Sequence, residues 1–231
     1  MYLTRFPINL SRRDSRKLLG SPQAMHAAVM ASYPKAPDPT PNARILWRVD
    51  RVHNESILYI SGPSEPDLTG LKEQAGWPTL EGGWDTADYR GFLAKLAPGQ
   101  SWAFRLTANP VRFARPKDGL PTQPFGHITV VQQQEWLLAR SPGKGFKIDE
   151  GTLAVQDRRV AIFKRRGEDV TLRMATFDGL LEITDAESVR RALCAGIGRA
   201  RAYGCGLMTL AAVLCHQVTG FRRRSQVISP D

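Results

Sequence analysis

The chain has 231 residues, of which 42% are apolar, so it can form one large domain or two of about 100 residues with buried cores. Its 32 Lys and Arg against 22 Asp and Glu give a formal net charge of +10, which indicates a polyanion, and nucleic acid first, as the partner. Excess charge that only keeps the protein soluble is the alternative. The sequence has no signal-peptide region, membrane-spanning stretch, CxxC pair or metal-ligand histidine spacing. We therefore expect a cytoplasmic protein with no membrane partner, disulfide framework or structural zinc.

The first half of the chain predicts the order strand, helix, strand, strand, helix, strand. Ser21 followed by Pro22 is typical of a helix start, and Pro34 stops that helix. The predicted elements are a strand over 2–9, a helix over 21–33, a hairpin of strands 44–49 and 56–61, a short helix over 67–75 and a strand over 101–108. This βαββαβ order is typical of a ferredoxin-like fold.

The second half allows the same order less cleanly, because the strand near 101–112 could belong to either half. The predicted elements are a helix over 130–141, an extended run over 146–156, a hairpin with its tip at 165–169, a turn at Asp178-Gly179, a helix from Asp185 to Gly196 and a strand over 206–213. We therefore predict an α+β fold of two tandem ferredoxin-like (RRM-like) βαββαβ domains, over 1–98 and 99–213, followed by a flexible basic tail over 214–231.

A glycine-rich run, 196–206, brackets two arginines and a tyrosine. Glycines permit a tight turn whose backbone N–H groups face an anion, and Arg199 and Arg201 could flank the same phosphate. The run lacks the Gly-Lys-Ser/Thr of a Walker A loop, and a helix precedes it where a dinucleotide fingerprint needs a strand. The alternative is a helix C-cap followed by a bulged strand. We predict RNA contacts for Gly198, Arg199, Arg201, Gly204 and Gly206.

His26 is the first candidate for chemistry, because it lies in the first turn of the Ser21-capped helix. The positive end of a helix favours a nearby phosphate and a neutral imidazole, which can act as a general base at neutral pH. The alternative is an ordinary histidine at the surface or the core boundary.

A basic hairpin is the second candidate for RNA binding. A protruding ribbon of this kind suits the backbone or a groove of duplex RNA, although an ordinary solvated turn would look the same. Its cations are Arg158, Arg159, Lys164, Arg165 and Arg166. Acidic residues form no cluster suited to Mg²⁺, so a nuclease of this sequence is expected to work without a metal.

Several further segments carry a family resemblance in their order and spacing. They are Met1-Tyr-Leu-Thr, the segment 18–26 ending in His26, Arg44-Ile-Leu-Trp-Arg-Val, Phe104-Arg-Leu-Thr-Ala-Asn-Pro, Gln133-Gln-Glu-Trp-Leu, Gly145-Phe and the run 196–207. Together they resemble the CasE family, the CRISPR-associated endoribonuclease of type I-E (Cascade) systems. The resemblance covers the chain up to about Val213.

The resemblance implies an endoribonuclease that recognises the stem-loop of CRISPR repeat RNA and cleaves the precursor at the 3′ base of the stem. The enzyme would stay bound to the 3′ hairpin of the mature guide RNA as a Cascade subunit, in contact with the backbone subunit, and would need no cofactor. His26 would be the catalytic general base or acid.

One position departs from the family pattern. Members often carry a tyrosine three residues before the histidine, and here that position is Gln23, which can hydrogen-bond but cannot transfer a proton. Arg12, Arg13 and Lys17 are candidates to support catalysis by stabilising the charged transition state. This departure keeps open a subunit that binds the guide-RNA hairpin without cleaving it, and a general RNA chaperone is a weaker alternative.

Overall fold

The computed structural model describes residues 1–33, 43–115, 121–165 and 167–213. The predicted stop at Pro34, the hairpin tip residue Arg166 and the predicted basic tail over 214–231 lie outside these ranges, as does the side chain of Arg165. Within them, no helix has the length and apolar character needed to cross a membrane.

The first sheet has four antiparallel strands in the order β2-β3-β1-β4. Its elements in chain order are β1 (Tyr2–Ile8), α1 (Arg13–Gly20), α2 (Pro22–Ala31), β2 (Leu46–Val52), β3 (Glu55–Gly62), α3 (Thr69–Ala75) and β4 (Asp85–Asp88). The sheet buries Phe6 and Leu58, together with Met25 and Val29 from α2, in one core. Alternation along β1 and the 3–4 residue spacing along α2 place these apolar side chains on facing surfaces.

The second sheet has the strand order β11-β5-β10-β8, and β9 pairs with the other end of β10. Its elements are α4 (Arg90–Ala94), β5 (Ser101–Ala108), β6 (Val111–Ala114), β7 (Gln123–Gly126), α5 (Val130–Leu138), β8 (Phe146–Ile148), β9 (Ala154–Arg165), β10 (Glu168–Ile183), α6 (Ala186–Ala195) and β11 (Met208–Ala212). Phe104, Leu106, Trp136, Phe177 and Leu193 form the centre of its core.

The α+β class with antiparallel sheets is therefore confirmed. Strand β5, which the sequence did not assign to one half, lies in the second sheet. The short β4, which the sequence did not predict, completes the first sheet. Helix α1 and the separate β6–β7 pair were also not predicted.

The predicted turn at Asp178-Gly179 is wrong, because β10 runs unbroken through both residues. The Asp178 carboxylate accepts two hydrogen bonds of 2.7 Å from the Arg105 guanidinium on β5. Gly179 lies opposite Phe104, and a Cβ there would come within 3.1 Å of the Phe104 ring. The Asp178-Gly179 pair thus resembles a turn in the sequence. In the structure its aspartate pairs with a partly buried cation, and its glycine leaves room for an aromatic ring.

A buried charged network joins the two sheets. Arg48 on β2 pairs with Asp50, and its guanidinium also donates to the backbone oxygens of Arg105 and Leu207 in the second sheet, at 2.9 and 3.1 Å. Asp50 in turn lies 3.5 Å from the Arg105 guanidinium, which Asp178 holds from the other side. These two carboxylates raise the pKa of Arg105 despite its burial. The network fixes β2, and the side chains it carries, against β5 and β11.

Candidate nucleic-acid interface

Helix α2 presents His26 at the boundary between core and solvent. The Ser21 hydroxyl accepts a hydrogen bond from the Ala24 backbone N–H at 3.2 Å, and Pro22 begins the helix, as predicted. His26 is the fifth residue of α2, one position beyond buried Met25, so it lies past the first turn where we expected it. Its ring is half-buried, which places it next to the core without enclosing it.

The environment of His26 keeps its imidazole neutral. Burial lowers the pKa of His26 from its ordinary value of 6.5, because desolvation penalises the charged ring. Its Nδ1 is buried and has no hydrogen-bond partner among the described residues. A neutral imidazole at pH 7 can accept a proton, as a general base must.

Tyr203 of the glycine-rich run packs against His26. The two ring centroids are 6.2 Å apart with an interplanar angle of 64°, an edge-on contact. The ring of Phe163 on β9 lies on another side of Tyr203, with centroids 4.7 Å apart. Helix α2, the glycine-rich run and the β9–β10 hairpin therefore meet at Tyr203, next to His26.

A cavity of about 140 Å³ opens beside this junction, between the α1–α2 corner and β9. Arg51 from β2, Arg159 from β9 and Tyr203 line it. The Arg51 guanidinium donates to the backbone oxygen of Leu19 at 3.2 Å, which holds the side chain over the corner. Burial, and then the positive charge of Arg159, lowers the pKa of Arg51, whereas Asp157 opposes this change. Two neighbouring guanidinium groups suit a phosphate in this cleft. We call it the His26 cleft because Tyr203 in its wall contacts His26; His26 itself does not line it.

The predicted basic hairpin is confirmed as a hairpin, but its cations lie on two faces. Arg159 shares the cleft-facing side of β9 with Phe163, whereas Arg158 and Lys164 are exposed on the opposite side. On that outer side, Val160 and Ile162, which are 52% and 71% exposed, lie between Arg158 and Lys164. Of the predicted hairpin cations with described side chains, Arg159 alone lines the His26 cleft.

The glycines of the run 196–206 serve close packing. Gly204 and Gly206 are buried with φ of 80° and 93°, and a Cβ on Gly204 would lie 2.7 Å from the Trp47 ring. The backbone N–H of Gly206 donates to the Thr107 oxygen at 2.7 Å, so it is occupied within the protein. The geometry favours the helix C-cap of the alternative, with Gly196 as the cap of α6, and a tight turn stands where the alternative has a bulged strand. RNA contact by these glycines stays a prediction, and the side chains that the run displays are the stronger candidates.

The arginines of the run do not line the His26 cleft. Arg199 and Arg201, next to Gly198, line a second cavity of about 340 Å³ that has none of the His26-cleft residues in its wall. The run therefore separates two cavities, with Tyr203 on one side and the two arginines on the other.

The predicted catalytic supports differ in their placement. Gln23 is exposed one turn before His26, so the helix brings the two onto neighbouring positions of one face. Arg12 donates to the backbone oxygen of Glu73 in α3, and Arg13 and Lys17 are exposed on α1. In the described part of the chain, no hydrogen bond joins any of these side chains to His26.

The sequence reasoning did not assign a role to Tyr203 or Arg51. Tyr203 belongs to the glycine-rich run, but its contact with His26 depends on long-range packing of α2 against that run. Arg51 follows Asp50 on β2 and gave no local signal.

Cys205 packs as expected, since it is fully buried and burial raises the pKa of its thiol to about 12. Across residues 1–33, 43–115, 121–165 and 167–213, no group of three or more His, Cys, Asp or Glu side chains is arranged to hold a metal ion.

The family model described as CRISPR associated protein matches residues 1–212. The chain belongs to this family of CRISPR-associated proteins, and the predicted resemblance is thereby confirmed. Over 224 residues it is 27% identical to the CRISPR-associated endoribonuclease Cse3 of Thermus thermophilus, covering 91% of this chain and 100% of that protein.

Solved structures agree with the sequence relationship. Thermus thermophilus Cse3 bound to an RNA representing a pre-cleavage complex has a TM-score of 0.73 and 26% identity, covering 91% of this chain and 98% of that one. The crystal structure of Cas6e from Escherichia coli K-12 has a TM-score of 0.66 and 23% identity, covering 92% and 100%, and shares the fold.

Proposed function

We propose that this protein is a metal-independent endoribonuclease that recognises the stem-loop of CRISPR repeat RNA and cleaves the precursor transcript. The observation that carries the proposal is the half-buried, neutral His26 beside a cleft lined by Arg51 and Arg159. The relative from Thermus thermophilus is named an endoribonuclease, and its structure holds an RNA representing a pre-cleavage complex, which supports the same substrate class.

The proposed reaction uses the ribose 2′-hydroxyl as the nucleophile. His26 takes the proton, directly or by relay, as the 2′-oxygen attacks the adjacent phosphorus in line. The bond from phosphorus to the 5′-oxygen of the next nucleotide breaks, and this oxygen takes a proton from water or from the protonated His26. The products are a 2′,3′-cyclic phosphate and a 5′-hydroxyl. Positioned acid–base catalysis contributes about 10²–10⁴ in rate, and alignment of the reacting atoms supplies much of the rest.

The arginines of the cleft carry the electrostatic part of the proposal. Negative charge grows on the phosphate oxygens in the transition state, and preorganised guanidinium groups stabilise it most when water is partly excluded. Arg51 and Arg159 line one cavity and can reach the same phosphate, whereas the Glu73 carbonyl holds Arg12, and Arg13 and Lys17 are exposed on α1 outside that cavity.

We further propose that the two sheets are two ferredoxin-like units, near 1–98 and 99–213. The order β2-β3-β1-β4 and the corresponding order β11-β5-β10-β8 both follow the 4-1-3-2 arrangement of a split βαβ fold. After cleavage, the protein would stay on the 3′ hairpin of the guide RNA as a cytoplasmic Cascade subunit that contacts the backbone subunit. A related fold occurs in a structure described as a CRISPR RNA-guided surveillance complex, with a TM-score of 0.66.

The competing proposal is a subunit that holds the guide-RNA hairpin without cleaving it. Gln23 favours this alternative, because its side chain cannot exchange a proton with the RNA. A general RNA chaperone would instead bind structured and unstructured RNA alike.

The test is cleavage of labelled repeat RNA in EDTA by the wild type and by His26→Ala. We expect the wild type to cut and the variant to lose cleavage while it retains stem-loop affinity. A repeat with a 2′-deoxy nucleotide at the cut site should bind and resist cleavage. Retained cleavage by His26→Ala would refute the assignment, and an uncut wild-type reaction would favour the hairpin-holding subunit. Equal affinity for an unstructured strand would favour the chaperone.

A further inference from the structure

The cavity of about 340 Å³ on the far side of the glycine-rich run is strongly basic. Its cations come from three segments: Arg140 follows α5, Lys144 lies in the turn before β8, and Arg199 and Arg201 belong to the run. No ion pair of these four side chains occurs within the described ranges. No aspartate or glutamate lines the cavity there either, so it offers positive charge that the fold itself does not neutralise.

Two buried donors on this cavity lack acceptors. Trp136 is 4% exposed, and its indole Nε1 has no hydrogen-bond partner among the described residues. The Arg201 Nε is also buried without a partner, and burial, followed by the charge of Arg44, lowers the pKa of Arg201. A buried donor without an acceptor is costly. Both atoms are enclosed within the protein, so the donors that a ligand in the cavity meets are the N–H groups of its four cations.

The same cavity has flat surfaces suited to stacking. The Phe113 side chain is 54% exposed, and the Arg199 guanidinium lies over its ring at 5.0 Å. The Arg140 guanidinium lies over the Trp136 indole at 4.5 Å. Arg140 also donates to the Trp136 backbone oxygen at 2.9 Å, and Trp136 is buried, so the exposed stacking surface is the Phe113–Arg199 pair. An exposed aromatic ring next to cations is typical of surfaces that hold a base and its phosphate together.

We infer that this cavity binds a nucleotide of the single-stranded RNA that continues from the repeat stem. The phosphate would accept hydrogen bonds from the four cations, and the base would stack on the Phe113–Arg199 surface. This inference rests on the proposed function, and it adds a site that the His26 chemistry does not use.

The position of the cavity explains why the ligand is a flanking strand of the same RNA. Arg201 and Tyr203 are two residues apart, so their Cα atoms lie at most about 7 Å from each other. An RNA strand that leaves the His26 cleft over Tyr203 therefore reaches the cavity by crossing a single turn of the chain. A folded stem is too wide for a cavity of this size, whereas one nucleotide fits.

The experiment measures the affinity of the full chain for four RNAs made uncleavable by a 2′-deoxy nucleotide at the cut site. They are the bare hairpin and hairpins with a 5′ flank, a 3′ flank or both. The readout is the ratio of flanked to bare affinity. We expect one flank to raise the wild-type affinity about tenfold, and Arg140→Ala and Phe113→Ala each to remove most of that gain. The flank that gives the gain, 5′ or 3′, identifies the strand that enters the cavity.

Arg191→Ala is the matched control, because Arg191 is an exposed arginine on α6 outside the cavity and should leave the ratio unchanged. The inference is overturned if neither flank adds affinity or if the gain survives both cavity variants. It is also overturned if labelled AMP binds the protein without hairpin and the gain in affinity from the flank is unchanged in the presence of AMP. That result would make this a mononucleotide site. Failure of the bare hairpin to bind would instead refute the proposed function.

Discussion

Replacing Arg48 with methionine should destabilise the whole molecule, because this side chain is the centre of the network between the sheets. It is 2% exposed, and its guanidinium donates five hydrogen bonds, two to Asp50 and three to Arg105, Leu207 and Thr209 of the second sheet. Methionine keeps the flexible apolar stem of the side chain and lacks the guanidinium, so the variant removes the charge and all of these donors.

The expected loss of folding free energy follows from the Asp50 carboxylate, which stays buried in the variant. The Asp50 carboxylate is 8% exposed and would keep one cation, Arg105, at 3.5 Å. Breaking a buried pair by removing one partner costs about 3–5 kcal/mol, and the remaining contact with Arg105 favours the lower part of that range. Since the free energy of unfolding of a domain is about 5–15 kcal/mol, the variant should lose a large share of its stability.

Chemical denaturation of the wild type, Arg48→Met, Asp50→Leu and the double variant Arg48→Met/Asp50→Leu measures this cost. The double variant should recover part of the loss, because no unpaired carboxylate stays buried. Arg90→Met is the matched control, since Arg90 and Asp88 form an exposed pair with the same two-residue separation and should contribute far less. A loss below about 1 kcal/mol for Arg48→Met, or a double variant that shows the plain sum of both losses, would refute the reasoning.

The remaining predictions concern His26 and its aromatic neighbour. The value of kcat/KM for cleavage should rise with pH along an acidic limb whose inflection lies below 6.5, because burial lowers the pKa of His26 and the base must be neutral. An inflection at or above 6.5 in the free enzyme would contradict this. Tyr203→Ala should move the inflection up towards 6.5 by admitting water to the imidazole, whereas Tyr203→Phe keeps the ring and should leave it in place. Equal inflections in all three proteins would show that Tyr203 does not shape the environment of His26.

Local rules predicted the elements whose signals are contained within a few residues. The Ser21 cap of α2 and the Asp185 cap of α6 were both expected, since one side-chain oxygen satisfies an N–H two or three positions ahead. The same rules failed at Asp178-Gly179, where Arg105 and Phe104 from a neighbouring strand decide the conformation. They also missed β4, a four-residue exposed strand without apolar alternation.

The sequence by itself determined that the chain is basic, that His26 lies on a capped helix, and that a hairpin later in the chain carries cations. Each of these features follows from composition or from hydrogen bonds between near neighbours. The tertiary structure decided which of the cations share a cavity. It brought Tyr203 into contact with His26 and placed Arg51 and Arg159 in the cavity that Tyr203 also lines, whereas Arg199 and Arg201 lie in a separate basic cavity. The physical reason is that these contacts depend on how the two sheets pack, through Arg48 and the close approach of Gly204 to Trp47, and no local pattern encodes that packing.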